Sequence, residues 1–426
     1  MPDDPGMPPG DDPVRSGERN ERSSLTHEPG QRSSLEREIG RYDTGRPGPL
    51  FIAVGGMHGN EPGGVLAAEG LFDELERHRV ELQGRLVALR GNCAALALET
   101  RFVEEDFNRV WTPEKLGKLE RQTPNADGSE EAELRGLRET LEALFVEPIA
   151  GRPPAGVVLL DLHSTSGPSK PFLCMADTLQ NRRVAFGLGV PVILGLEEAL
   201  PGTLLDWMSE AGHVAIAFEG GTHASKDIER CHRAAILCAL EAAGMVAEGV
   251  MDIARERKRL QSMAEGLPEI VEILTRHATV PGDGFTMDPG WQSFESVKRG
   301  ERLAEDHSGV LLAAHDGRML LPRYQPQGND GFFVARDVRP FWLWISALLR
   351  RLGAERALPL LPGVRRDPSD PRALRVDPAR ARYLVTQVFH LFGYRRAAQD
   401  GEQLVFIRRP DDPAELRKGG LGLSRG

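Results

Sequence analysis

An apolar run, Leu50-Phe51-Ile52-Ala53-Val54, feeds into a glycine-rich stretch, Gly55-Gly56-Met57-His58-Gly59-Asn60-Glu61, and a helical pattern begins near Gly63. A fully apolar strand must be covered on both faces, which is the condition of a strand inside a parallel sheet. The pattern recurs. Apolar runs predict strands over 85–89, 157–160, 172–175, 190–194 and 214–218, and helical spacing predicts helices over 63–79, 130–145, 200–211 and 225–243. Strands alternating with helices imply an α/β fold with a mixed, largely parallel sheet flanked by helices. In such sheets ligands bind beyond the carboxyl ends of the strands.

The texture of the chain divides it further. Residues 1–35 are rich in Pro, Gly, Asp, Ser and Arg and have few large apolar groups, so they predict a disordered tail. Residues 36–276 hold the alternating pattern and predict the main α/β domain. From 277 to 336, short segments separated by Gly, Pro and Asp predict a small β domain. Residues 337–426 read as an α+β extension of unassigned role. An amphipathic helix is expected over 340–352, a second helix over 379–391 and a hairpin around Asp400-Gly401.

Bulk properties exclude several functions. A net charge of -10 disfavours nonspecific nucleic-acid binding. The chain lacks an apolar run of the ~18 residues that a spanning helix needs, so no membrane partner is expected. The N-terminus, Met1-Pro2-Asp3-Asp4-Pro5, has neither a basic start nor an apolar stretch, unlike a secretory signal. Cys93, Cys174, Cys231 and Cys238 form no CxxC pair and are expected to be free, buried thiols in a reducing, cytoplasmic setting.

The residues that carry chemistry cluster at strand ends. His58 and Glu61 stand just past the run at 50–54, His163 just past 157–160, and Glu219 just past 214–218. Two His and one Glu are a ligand set of catalytic zinc, which leaves a position open for water. Gly55, Gly56 and Gly59 permit the backbone angles that turn His58 and Glu61 toward one point. Alone, His58-x-x-Glu61 reads as an ordinary strand-to-helix turn; the second His and the second Glu at other strand ends favour a metal. Asp161 fits two roles, orienting a ligand or capping the loop. Glu219, placed by an apolar strand, suits a general base with a raised pKa. Arg101 and Asn108-Arg109 lie in a charged loop able to grip a carboxylate or polarise a carbonyl. His223 is placed to reach the pocket rim. The glycine-rich stretch lacks the Gly-Lys-Ser/Thr ending of a nucleotide loop, and no Gly-x-Ser-x-Gly elbow occurs.

Taken in order, Gly56-Met57-His58-Gly59-Asn60-Glu61, Arg101 with Asp106-Phe107-Asn108-Arg109, Asp161-Leu162-His163 and Glu219 resemble the succinylglutamate desuccinylase/aspartoacylase family, which is related in fold to the zinc carboxypeptidases. The resemblance runs from about residue 50 to 336. It implies one zinc ion per chain held by His58, Glu61 and His163, and Glu219 as base and later proton donor. It further implies Arg101 on the scissile carbonyl, and Asn108 and Arg109 on the carboxylate of an acylated amino acid. The implied reaction is hydrolysis of an N-acyl amino acid by attack of zinc-bound water, with a small acylated carboxylate as partner and a homo-oligomer as one possible assembly. Competing readings are a carboxypeptidase- or esterase-like hydrolase on the same residues and a non-catalytic metal-binding module. Aspartoacylase itself carries a further substrate-binding Arg shortly before its catalytic Glu, and residues 207–213 contain none.

Overall fold

The structure is a computed structural model that describes residues 35–123, 128–377, 380, 385–400 and 403–408. The tail expected over 1–35 therefore lies, apart from Leu35, outside the described residues, as does the turn at 401–402.

Eight strands build the part of the sheet that carries the site: β1 (Glu38–Asp43), β2 (Leu50–Gly55), β3 (Arg85–Arg90), β4 (Val157–Thr165), β5 (Phe172–Met175), β6 (Val192–Leu194), β7 (Val214–Thr222) and β8 (Ile270–Ala278). Their order is β1-β3-β2-β4-β7-β5-β6-β8, and the sheet continues through Asp330–Asp337, Gly317–Leu320 and Ser296–Val297. β3, β2, β4 and β7 run parallel, as do β5, β6 and β8. β1, β5 against β7, and the strands after β8 pair antiparallel. The fold is thus the expected mixed, largely parallel sheet.

Every residue of β2 and β4 is buried. Alternate side chains separate into two cores. Phe51 and Ala53 pack with Leu71 and Leu75 of the helix Gly63–His78 and with the helix Ile228–Ala242. Leu50, Ile52 and Val54 pack on the other side with Leu116, Leu134, Leu137 and Met208 of the helices Pro113–Arg121, Ser129–Val146 and Leu204–Glu210. Period-two alternation thus distributes one apolar run between two helical layers.

Three expectations need correcting. The helix predicted over 200–211 begins only at Leu204, because Gly202 adopts a left-handed φ of 80° and Thr203 caps the helix by accepting from the Asp206 N–H. His163 and Glu219 lie within strands β4 and β7 rather than past their ends. The texture change near 276 falls inside β8, whose antiparallel partner Asp330–Asp337 extends the same sheet.

A small antiparallel sheet of Thr286–Met287, Arg302–Asp306 and Gly309–Leu312 sits within the later β region. After it come the helix Pro340–Arg351 and a four-stranded sheet made by Val364–Arg366, Ala373–Val376, Tyr394–Asp400 and Gln403–Arg408. The last two strands pair antiparallel with Asp400 opposite Gln403, so they form the expected hairpin. Of the helix expected over 379–391, Val385–Leu391 is described. No described helix is long and apolar enough to cross a membrane. All four cysteines are free and buried.

Candidate active site

The glycine-rich turn works by two different physical routes. Gly56 has φ +71°, the left-handed region that favours glycine. Gly59 instead supplies room: a Cβ there would stand 2.0 Å from the Ala95 carbonyl carbon. With the turn so folded, His58 and Glu61 are buried and point to one spot, and β4 brings buried His163 to the same spot.

One carboxylate organises the centre. His58 Nδ1 lies 2.9 Å from Glu61 Oε1, and His163 Nδ1 lies 3.0 Å from Glu61 Oε2. The backbone N–H of Ser164 donates to the same Oε2 at 3.0 Å. The far ring nitrogens meet aspartates. His58 Nε2 is 3.2 Å from Asp106 Oδ1, and His163 Nε2 is 2.9 Å from Asp161 Oδ2. Both aspartates are buried. An Nε2–H donated to each aspartate leaves a lone pair on each Nδ1, which is the tautomer a metal ligand requires. One ligand atom from each of His58, Glu61 and His163 lies within 4.8 Å of the others. Donor set, spacing and tautomer therefore suit a single divalent cation. Asp161 contacts the His163 ring, as it would in orienting that ring from behind.

Burial opposes ionisation of Glu61, but the two imidazoles hold its carboxyl well below the usual range. Burial likewise disfavours a charged His163, yet Asp161 and Glu61 raise it well above the usual imidazole value. Asp106 is held low by His58 and Arg101 despite its burial.

Glu219 differs from these carboxylates. It projects from β7 directly opposite His163 in β4. Its Oε2 is enclosed and has no hydrogen-bond partner among the described residues. Burial pushes its carboxyl up to about 7, against the pull of His163 and with the push of Glu61.

Arg101 spans the centre, its Nη1 3.4 Å from Glu61 Oε1 and its Nη2 3.2 Å from Asp106 Oδ2. Its Nε has no hydrogen-bond partner among the described residues. Asn108 is turned partly to internal work. Its Oδ1 accepts from the Leu204 N–H at 3.0 Å, and its Nδ2 lies 3.3 Å from His163 Nε2. Arg109 Nη2 donates to Asp330 Oδ2 at 2.8 Å, and Arg276 Nε donates to Asp330 Oδ1 at 2.6 Å. His223 Nδ1 lies 2.7 Å from the Ser164 hydroxyl, which faces the pocket. All seven residues singled out from the sequence, His58, Glu61, His163, Glu219, Arg101, Asn108 and Arg109, line one cavity of about 150 Å³.

Sequence reasoning missed three contributors. The sequence gives Asp106 no role beyond its place in a motif, although a charged residue beside apolar Phe107 signals that it is paired. Asp330 and the buried His232, whose Nε2 lies 2.9 Å from the His163 carbonyl oxygen, had no local signal, because their partners are distant in sequence. The cavity wall also takes Leu196, Leu200, Leu205 and Phe333, with Ser293 and Arg323 from the later β region.

Residues 47–241 match the family model described as "Succinylglutamate desuccinylase/Aspartoacylase catalytic domain". A succinylglutamate desuccinylase of Erwinia tasmaniensis is 42% identical over 61 residues, which is 14% of this chain and only 18% of that protein. One of Burkholderia lata is 23% identical over 316 residues, covering 70% of this chain and 81% of the relative. Among solved structures, a succinylglutamate desuccinylase/aspartoacylase from Rhodobacter sphaeroides is similar at 20% identity and a TM-score of 0.49, covering 70% of this chain and 87% of that one. Murine aminoacylase 3 is similar at 20% identity and a TM-score of 0.47, covering 69% and 96%. The matched span contains the three-ligand group, both of its aspartates, Arg101, Asn108, Arg109 and Glu219. It is thus in residues 47–241, the stretch that holds the whole candidate site, that the chain is similar to the succinylglutamate desuccinylase/aspartoacylase catalytic domain.

Proposed function

We propose that this protein is a zinc-dependent hydrolase that cleaves the amide bond of an N-acyl amino acid. The observation that carries the reading is Glu219. One oxygen of its carboxylate, Oε2, is enclosed without a hydrogen-bond partner among the described residues, and it stands beside His163 of a three-residue group able to hold a metal. An enclosed carboxylate oxygen without a partner is costly, and such a cost is usual where a group must gain and lose a proton. His58, Glu61 and His163 would hold the ion, with Asp106 and Asp161 fixing the two rings. When bound, zinc supplies Lewis acidity and makes water a competent nucleophile near neutral pH.

The chain's own groups supply the remaining steps. Ionised Glu219 accepts a proton from the attacking water and then delivers it to the departing amine nitrogen. Arg101 keeps Nε without a partner among the described residues and sits over the candidate metal group, where its charge opposes the negative charge that develops on the carbonyl oxygen. Arg109 holds the carboxylate of the substrate in competition with Asp330, and Asn108 sets the height of Arg109 by anchoring the loop to Leu204. The walls formed by Leu196, Leu200, Leu205 and Phe333 exclude water and favour an apolar portion of the substrate. A cytoplasmic location accords with the four free, buried thiols.

The test is a hydrolysis screen with zinc-loaded protein. It covers N-acetyl, N-succinyl and longer N-acyl amino acids, with peptides and esters beside them and amine release as the readout. Turnover of acylated amino acids is expected; preference for peptides or esters would reassign the reaction, and inertness across the panel would remove it.

A further inference from the structure

The helix Pro340–Arg351 is inverted relative to an ordinary surface helix. Its inward side carries Leu343 together with polar Ser346 and Arg350, all buried. Ser346 Oγ donates to the Leu391 carbonyl at 2.7 Å and accepts from Arg182 Nη2 at 3.0 Å. Arg350 Nη2 donates to Asp177 Oδ2 at 2.7 Å and to the His390 carbonyl at 2.8 Å. The polar face is thus spent on internal bonds that fasten the helix to the body of the protein.

The outward side is apolar. Phe341, Trp344, Leu348 and Leu352 follow at spacings of three, four and four, so they share one helix face. They are 58%, 63%, 42% and 72% exposed. The rings of Phe341 and Trp344 stack at 6.3 Å, and exposed Trp342 flanks them. Two of the five tryptophans of the chain therefore face solvent on one helix. A contiguous exposed apolar face of this kind marks an interaction site.

The charge of this stretch of sequence, between Asp337 and Asp367, is the reverse of the chain's. Residues 338–366 contain Arg339, Arg350, Arg351, Arg356, Arg365 and Arg366 against a single carboxylate, Glu355, which pairs with Arg408 at 3.0 Å. Apart from Arg350 these arginines are exposed, and none forms an ion pair with a described residue. The whole chain carries -10.

We infer that this helix and its arginines form a docking surface for an anionic lipid bilayer. Trp and Phe favour the headgroup level of a bilayer, and each nearby Arg adds attraction to anionic lipid. The alternative of a second copy is disfavoured by symmetry. A twofold interface places a patch against itself, so this arginine-rich surface would meet its own like charge. Surface docking needs no spanning helix, so the shortage of long apolar runs does not bear on it.

The experiment is co-sedimentation of the full chain with vesicles of phosphatidylcholine alone and of phosphatidylcholine with phosphatidylglycerol, read beside light scattering of the protein without lipid. Binding to the anionic vesicles is expected on the order of tenfold above the neutral ones, falling as salt rises. Trp344→Ser with Leu348→Ser should abolish it. Arg351→Glu with Arg356→Glu keeps the apolar face and should remove the preference for anionic lipid; because all four positions are exposed, unchanged melting curves check that the variants fold. No sedimentation with either vesicle would overturn the inference, as would equal binding to both. So would a dimer in the absence of lipid that Trp344→Ser with Leu348→Ser splits, because it would assign the face to a second copy. Capture by an acidic protein with no vesicle binding would overturn it too.

Discussion

His163 and Glu219 face one another in register across the parallel pair β4–β7, so both side chains leave the sheet on the same side. An imidazole of the candidate metal group and a carboxylate without a hydrogen-bond partner among the described residues are thereby held at fixed separation by the backbone hydrogen bonds of the two strands. Glu219→Gln preserves the shape and removes the proton acceptor. The expected outcome is retention of one zinc per chain with a loss of about 10²–10⁴ in kcat. Elemental analysis and kinetics on the same sample check it, and a variant with full turnover would take Glu219 out of the chemistry.

The pH profile provides an independent test of the same group. The carboxyl is pushed up to about 7 by burial, so at lower pH it is protonated and cannot accept a proton. Activity should therefore rise with pH through the neutral range rather than through the ordinary carboxylate range near 4.3. An acid limb centred at 4 to 5 would contradict the assignment.

Asp106 holds the outer nitrogen of His58 and a guanidinium nitrogen of Arg101 at once. Asp106→Asn leaves every ligand in place but weakens the tautomer control. Zinc affinity should fall by about 10–100-fold in a chelator competition. His58→Ala should instead abolish stoichiometric zinc. Equal affinities for wild type and Asp106→Asn would show that the aspartate is not supporting the ligand.

Gly59→Ala tests the turn itself. Its Cβ would meet backbone at 2.0 Å, and backbone cannot swing away as a long side chain can. A loss of roughly 1–3 kcal/mol or outright failure to fold is expected, read as a lower Tm together with reduced zinc content. A normal Tm would mean that the loop has room the structure does not show.

Much of this arrangement is legible from the sequence because β2, β4 and β7 are buried on both faces and read as uninterrupted apolar runs. What hydropathy misses is where those strands stop. β4 continues through His163-Ser164-Thr165, and β7 through Glu219-Gly220-Gly221-Thr222, because pairing can continue past polar side chains that turn into a pocket, here with one register shift between His163 and Thr165. The direction of β5 is equally invisible, since it depends on the connection and not on composition. The helix Pro340–Arg351 shows a related limit. Periodicity reveals that it has two faces but cannot say that the one holding Arg350 points inward.

His390 links the C-terminal region to the sheet through Glu198 and Glu272, each at 3.0 Å. Those carboxylates raise its pKa to about 10 in spite of burial. A raised folded-state pKa means that the stabilisation is fully present below the ordinary value near 6.5 and is lost as pH climbs toward 10. His390→Gln should therefore cost about 2 kcal/mol at pH 6 and progressively less by pH 10, measured as the gap between the two Tm curves. A gap that does not narrow would place the pair's contribution elsewhere.

β6 is only three residues long, and its outer neighbour is β8. A fragment ending at residue 241 would keep His58, Glu61, His163 and Glu219 yet leave that short strand with an open row of N–H and C=O groups. It would also lose the wall that carries Ser293, Arg323 and Asp330. The end of the family-model match is thus not a limit at which the polypeptide can be cut: such a fragment is expected to be an aggregation-prone half-shell that displays its candidate site to bulk water.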